Sequence, residues 1–300
     1  MKRSVILVFF LMSTMLMGQG VMGVGNFIHV VSNLDKSIEF YRDGLGLEMT
    51  GAPGPRAFSA NAVVSGLYNA PGAQSRVASF KIPDSVMAVE IVEFQGLNAK
   101  PVGPRFFDPG AITLTLPVDE DLEVVKTRLL RIKGLEWISA SAMGLVKVRD
   151  PDGIFVELSH PRSPLNQGVK EEVRLTVTVA DPGKTAQFYS EALGFTGERG
   201  RMRVPGDEFP VNFTNPEYAD AKPVHSEIHD PGSGVLRLRV GDFDAAVQAL
   251  KAHGATVVSA GGEPVNLGRN RAVILRDINN LFIQVLESAP AAAGKGPTGK

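Results

Sequence analysis

The sequence predicts an α+β fold built from four βα-plus-strands modules arranged as two tandem pairs. Three observations predict it: a strand–helix motif that recurs between the halves, an echo around Asp-Pro-Gly, and matching closing strands. The first motif runs Phe27-Ile28-His29-Val30-Val31-Ser32, a strand, into Leu34-Asp35-Lys36-Ser37-Ile38-Glu39-Phe40-Tyr41 and Leu45-Gly46-Leu47. It returns as Leu175-Thr176-Val177-Thr178-Val179, Lys184-Thr185-Ala186-Gln187-Phe188-Tyr189 and Leu193-Gly194-Phe195, with Phe-Tyr at the same helical position. Self-similarity at this spacing marks a repeated supersecondary unit.

The remaining elements follow the same logic. Asp108-Pro109-Gly110 and Asp230-Pro231-Gly232 each open a strand, Ala111 to Leu116 and Val235 to Val240. Each strand leads into a helix, Asp121 to Lys133 and Asp242 to His253, that stops at Gly134 or Gly254, as a C-terminal glycine in the left-handed region requires. Val148-Arg149-Asp150 precedes the closing strand Ile154 to Leu158, and Leu275-Arg276-Asp277 precedes Leu281 to Val285. Four modules result, at 25–95, 108–160, 171–215 and 232–288, with Pro161 to Lys170 as the linker between two domains, 25–162 and 170–288. The Gly- and Pro-rich stretch from Gly51 to Ser75 is long for a compact domain and reads either as a functional cover or as disorder.

Bulk composition sets the limits. At 300 residues, 44% hydrophobic and 21% charged, the chain suits two globular domains. A net charge of −1, with acids and bases interspersed, offers no patch for a polyanion, which argues against nucleic acid. Cysteine is absent, so disulfides, thiolate nucleophiles and Cys–zinc sites are excluded together.

The termini read as accessory segments. Lys2 and Arg3 precede an apolar run, Val5 to Met17, and small residues alternate at Gly18-Gln19-Gly20. This is the layout of a secretory signal peptide over residues 1–20, implying export to the periplasm or the extracellular space. Because no charge appears between Arg3 and Asp35, an uncleaved membrane anchor over Ser4 to Val24 is the competing reading. Residues 289–300, rich in Pro, Ala, Gly and Lys, read as a disordered tail.

The opening motif around His29, with Leu-Asp-Lys-Ser-Ile-Glu-Phe-Tyr-Arg-Asp-Gly-Leu-Gly-Leu, resembles the start of the vicinal oxygen chelate superfamily. That group includes glyoxalase I, bleomycin- and fosfomycin-resistance proteins and extradiol dioxygenases. Asp150-Pro151-Asp152-Gly153-Ile154-Phe155-Val156-Glu157-Leu158 resembles its closing signature, and the likeness covers nearly the whole chain after the leader. The resemblance implies βαβββ modules paired into two cup-shaped glyoxalase-like domains, each cup suited to a divalent metal with open positions for substrate oxygens. It places ligands on the first and last strands of each module: His29, Glu90 and Glu157, with Ala111 or Thr113 at the fourth position.

In the second half Val177 stands opposite His29, Asn212 opposite Glu90, and Gln284 opposite Glu157, with Leu236 or Arg237 at the remaining position. That domain is expected to be degenerate, since exchanging Glu for Gln removes the anionic oxygen a hard cation favours. A site of one imidazole and two carboxylates suits Fe, Mn, Zn, Ni or Mg, and Glu90 or Glu157 is the candidate catalytic proton carrier.

Three functions remain open on these grounds: an exported metal-dependent lyase, isomerase or dioxygenase acting on a small oxygenated molecule; a metal-free small-molecule binding protein of the bleomycin-resistance type; and a structural role. Burial of the carboxylates demands a partner, and an arginine serves as well as a metal, with Arg76 and Arg149 as candidates. His225 and His229 read as loop residues, and Phe40-Tyr41 and Phe188-Tyr189 as core packing. The expected partner is a small molecule, and a monomer suffices because the tandem modules can complete each cup within one chain.

Overall fold

The structure is a computed structural model that describes residues 20–51, 57–141, 145–160, 172–216 and 219–288. The predicted leader (except Gly20), the linker 161–170 and the tail 289–300 lie outside the described residues.

Module one comprises β1 (Val21–Val31), α1 (Leu34–Ile38) continued by a π-helical turn (Glu39–Gly44), β2 (Glu48–Thr50), β3 (Ser59–Ala60), α2 (Ala62–Leu67), β4 (Gln74–Lys81) and β5 (Ala88–Gln95). Module two comprises β6 (Ile112–Pro117), α3 (Leu122–Leu129), β7 (Glu136–Ser141), β8 (Leu145–Arg149) and β9 (Phe155–Ser159). Module three comprises β10 (Arg174–Thr178), α4 (Pro182–Leu193), β11 (Thr196–Glu198), β12 (Arg201–Arg203) and β13 (Pro210–Thr214). Module four comprises β14 (Gly234–Val240), α5 (Phe243–Ala252), β15 (Thr256–Val257), β16 (Val265–Asn266), β17 (Arg271–Arg276) and β18 (Phe282–Glu287).

The helices start where the sequence places their caps. Asn33, Asp121, Asp181 and Asp242 each accept a hydrogen bond from a backbone N–H of the first turn of α1, α3, α4 and α5. This satisfies donors that have no partner within the helix. Helix α4 stops at Gly194, whose φ of 73° is the left-handed position that ends helices.

The modules pair as outer with outer and inner with inner. Strand β1 runs antiparallel to β14, so modules one and four share a ten-stranded sheet, here the terminal sheet. Strand β6 runs antiparallel to β10, so modules two and three share an eight-stranded inner sheet. Two paired cups are present, but they do not coincide with the sequence domains 25–162 and 170–288. Each cup takes one module from each sequence half.

Alternation along the strands assigns the two faces of each sheet. Phe27, Val89, Ile91, Leu236, Leu238 and Ile283 of the terminal sheet, with Leu114, Val156, Leu175 and Val211 of the inner sheet, join one core that also holds residues of α1, α3, α4 and α5. The opposite faces are the two cups. Over the terminal cup lies α2, which falls within the Gly51–Ser75 segment. Leu67, Tyr68, Ala70 and Ala73 pack there on Ile28, Val30, Val92, Val235, Ile274 and Phe282. The covering reading of that segment therefore describes residues 57–75; residues 52–56 are outside the described set.

Candidate binding cups

The three sequence-predicted metal ligands are not brought together. Glu90 stands on β5 in the terminal cup, Glu157 on β9 in the inner cup, and His29 faces the shared core. The parallel register of β1 and β5 sets Ile28, not His29, beside Glu90 on the cup face. A one-residue slip of register reverses the face of every side chain, and the apolar sequence neighbours of His29, Phe27-Ile28 and Val30-Val31, give no alternation from which to read it. Among the described residues no group of three or more His, Cys, Asp or Glu side chains is placed to hold a metal ion.

His29 instead belongs to a buried polar cluster between modules one, two and four. Its Nε2 lies 2.9 Å from Asp150 Oδ2, an ion-pair distance at which the angular requirement for a hydrogen bond is not met. Its Nδ1 lies 3.3 Å from the Ser233 carbonyl oxygen. Tyr41 donates its hydroxyl to the same Asp150 oxygen (2.9 Å), and the backbone N–H groups of Asp152 and Ile154 donate to the other. Asp152 in turn accepts from Ser32 N.

Burial works against a charge on His29, yet the fields of Asp150 and Asp152 and the Ser233 carbonyl outweigh it, so its pKa is raised. The carboxyl of Asp150, opposed by burial but held by His29, Tyr41 and its backbone donors, is lowered. Modules three and four repeat the arrangement without the imidazole. Tyr189 donates to Asp277 at 2.8 Å, Asn279 N and Leu281 N donate as well, and Val177 is the residue the repeat sets opposite His29. With no cation beside it among the described residues, burial raises Asp277.

In the terminal cup Glu90 is held by an arginine. Arg237 of β14 reaches across the module boundary, Nη2 to Glu90 Oε1 at 3.1 Å and Nη1 to Oε2 at 3.3 Å, and its Nε donates to Gln284 Oε1 at 2.8 Å. Asn26 Nδ2 donates to Glu90 Oε2 at 2.9 Å. A bare backbone at Gly25 lets the arginine pass, because a Cβ there would lie 2.8 Å from Arg237 Cδ. Tyr68 of the overlying segment places its hydroxyl in the buried interior with no hydrogen-bond partner among the described residues. Burial and then the charge of Glu90 push its pKa up.

The inner cup repeats the theme with different residues. Glu157 meets Lys147 Nζ at 3.0 Å and Arg174 Nη2 at 3.1 Å, with Thr115 Oγ1 at 3.4 Å from Oε1. Arg174 comes from module three, so here too the cation crosses the module boundary. Lys147 also lies 3.8 Å from the centroid of the Phe106 ring, which meets Phe155 edge-on at 5.2 Å.

The candidate arginines named from the sequence go elsewhere. Arg76 pairs with Glu93 and Asp35, and Arg149 with Glu136. Glu93 faces away from Glu90 and accepts from Leu34 N, as its three-residue offset requires. His225 and His229 lie in irregular chain, as expected.

The donor set therefore does not fit the metal implied by the resemblance. Each cup offers one carboxylate already shared with a guanidinium, and a divalent cation placed there would meet a fixed positive charge at close range. Arg174, Lys147, Asn26 and Tyr68 were not singled out by sequence reasoning. The signal available for Arg174 was its position two residues before Thr176 on a strand of alternating polar residues.

Comparison with known proteins supports the architecture. Residues 173–280 match the family model described as Glyoxalase/Bleomycin resistance protein/Dioxygenase superfamily. No curated protein sequence matches the chain. Glyoxalase I from Zea mays is similar in fold, with a TM-score of 0.55 at 13% identity over 89% of this chain and 92% of that one. A putative dioxygenase from Bacillus subtilis is similar at a TM-score of 0.56 and 15% identity, covering 91% of this chain and 87% of that one. Residues 173–280, within modules three and four, thus match the glyoxalase/bleomycin resistance protein/dioxygenase superfamily, and the chain as a whole shares a fold with glyoxalase I and this dioxygenase-like protein over about nine-tenths of its length.

Proposed function

We propose that this chain is a metal-free small-molecule binding protein, with the inner cup as its binding site. The observation that carries the reading is the arginine–carboxylate pair in each cup, Arg237 with Glu90 and Arg174 with Glu157. A guanidinium fixed beside the carboxylate meets the demand of a buried charge for a partner, which in a metal enzyme the ion would meet. The terminal cup is filled from within by α2 and the apolar cluster beneath it. On the inner cup an open pocket of ≈700 Å³ is lined by residues of modules three's strands β10, β12 and β13, a volume within the range of small-molecule sites. The name of the superfamily includes bleomycin resistance proteins, and this chain is read as working in the same general manner, by binding and not by turnover.

Export is part of the proposal. Strand β1 begins at Val21, and Val21, Gly23 and Val24 pair with β14, which supports reading residues 1–20 as a leader over an anchor that extends to Val24. Among the described residues no helix is long and apolar enough to cross a membrane.

The test is metal analysis of the purified protein after incubation with Zn²⁺, Mn²⁺, Ni²⁺ and Fe²⁺, with Glu90→Gln and Glu157→Gln alongside. Less than a tenth of an equivalent in every case is expected. A stoichiometric metal that disappears in either variant would overturn the reading.

A further inference from the structure

The inner cup carries positive charge that the protein does not use internally. Arg174 is engaged by Glu157, as described, but Arg199 and Arg201 take part in no ion pair among the described residues. Both line the ≈700 Å³ pocket together with Arg174, Thr176, Asn212 and Thr214. One acid also lines it, Asp181, and that carboxylate is committed to its own helix: Oδ1 accepts from Lys184 N at 3.0 Å and Oδ2 lies 3.7 Å from Lys184 Nζ. Three arginines therefore line a pocket whose one lining acid, Asp181, already has a partner.

The placement of the two unused arginines is specific. Arg201 pairs in register with Asn212 on the adjoining strand, and Asn212 with Thr176, so the three stand in one row across the cup face. Arg199 forms the tip of the β11–β12 hairpin at φ 52°, a left-handed position where glycine or asparagine would sit with less strain. Gly200 beside it, at φ 77°, holds the hairpin against β13 through Phe213 N–H donating to its carbonyl at 2.7 Å. The hairpin thus carries one arginine at its tip and another at its first returning residue, and both border the same space.

We propose that the inner cup binds a small organic anion, a molecule bearing a carboxylate or a phosphate monoester. Its charged end lies against Arg199 and Arg201, whose planar donors match both groups, and its body lies over Thr176 and Asn212, which supply neutral hydrogen bonds. This rests on the metal-free binding reading and adds the charge class of the ligand.

The experiment is calorimetric titration of the full-length protein with phenyl phosphate and with benzoate, each against its neutral counterpart, phenol and benzamide. At least one anion is expected to bind tenfold or more tightly than its counterpart, and to weaken as salt is raised. Arg201→Gln and Arg199→Asn, the latter suited to the left-handed tip, are each expected to weaken that anion at least fivefold while leaving the melting temperature in place. The arm that binds, carboxylate or phosphate, identifies the headgroup. Equal affinity for anions and neutral counterparts, undiminished binding in both variants, or no binding by either anion would each overturn the proposal. Neutral compounds binding to a metal-free protein would sink the charge assignment alone, whereas stoichiometric metal lost in Glu157→Gln would sink the underlying reading.

Discussion

Replacing His29 by valine, the residue that the repeat sets in its place, isolates the worth of one buried ion pair. In the native chain the imidazole and Asp150 are both buried, with Nε2 2.9 Å from the carboxylate. Removing one member of a buried pair costs about 3–5 kcal/mol where the remaining charge is stranded. Asp150 would keep the Tyr41 hydroxyl and two backbone N–H donors, the same three that Asp277 uses without any cation. The loss therefore belongs at the lower end, about 3 kcal/mol.

The pH dependence supplies a second, independent signature. The pKa of His29 is raised in the folded state from its ordinary 6.5, so its contribution is full below that value and fades as pH rises through the folded pKa. The groups facing it are Asp150, Asp152 and the hydroxyl of Tyr41, of which Asp150 is lowered and stays charged until strongly acidic pH. Urea unfolding at pH 5.5 and at pH 9 should show a gap between native protein and His29→Val that is wide at the first and narrower at the second. Adding Asp152→Asn, which copies Asn279 of the second half, should recover part of the loss. A gap below about 0.5 kcal/mol at pH 5.5, or one that does not narrow on the alkaline side, would refute the reasoning.

Other expectations follow from the two cups. Arg237→Met should destabilise the protein by about 2 kcal/mol in urea, because Glu90 and Gln284 lose their shared donor while partial exposure lets water take some of its place. Arg237→His exchanges the fixed cation for a metal-binding imidazole beside Glu90, so Zn²⁺ should raise the melting temperature of this variant and leave the native protein unchanged. Tyr68→Phe removes a buried hydroxyl that has no partner among the described residues, and unfolding should show a neutral change or a gain of up to about 1 kcal/mol. Gly200→Ala puts a Cβ 2.3 Å from the Phe213 carbonyl oxygen, so a loss of more than about 1 kcal/mol is expected, with weaker anion binding by titration calorimetry.

The modules were legible because each one announces itself twice. The Phe-Tyr pair, the Asp-Pro-Gly openings and the Arg-Asp turn before each closing strand recur at fixed places, and all map to corresponding elements of the structure. Which module pairs with which was not legible. The edges that meet, β1 with β14 and β6 with β10, all turn apolar residues to the core, so that face does not mark which strand is whose partner. The site was lost at the same step. Glu90 and Glu157 were read as members of one constellation because their modules are neighbours in sequence, whereas Glu90 meets Arg237 across 147 positions of chain. His29 was misread for a local reason, since five consecutive buried residues from Phe27 to Val31 hide the inside–outside alternation of β1. Helix α2 went unseen because its six residues fall within a Gly- and Pro-rich stretch whose composition resembles a loop.

The exchange of modules makes the order of synthesis matter. The inner pair nests inside the outer pair like one bracket within another, so the inner sheet can close as soon as β13 has left the ribosome. Strand β1, the first made, must wait for β14, and Val21 meets Val240 only after more than 200 further residues have been added. At about 5–20 residues per second that is a delay of roughly 10–40 s, during which an apolar central strand, paired with β5 on one side, has its other edge open. For such a chain, holding the N-terminal segment apart until the last module arrives is a requirement of the topology, and cutting the protein at its linker should yield two fragments, neither of which contains a whole sheet.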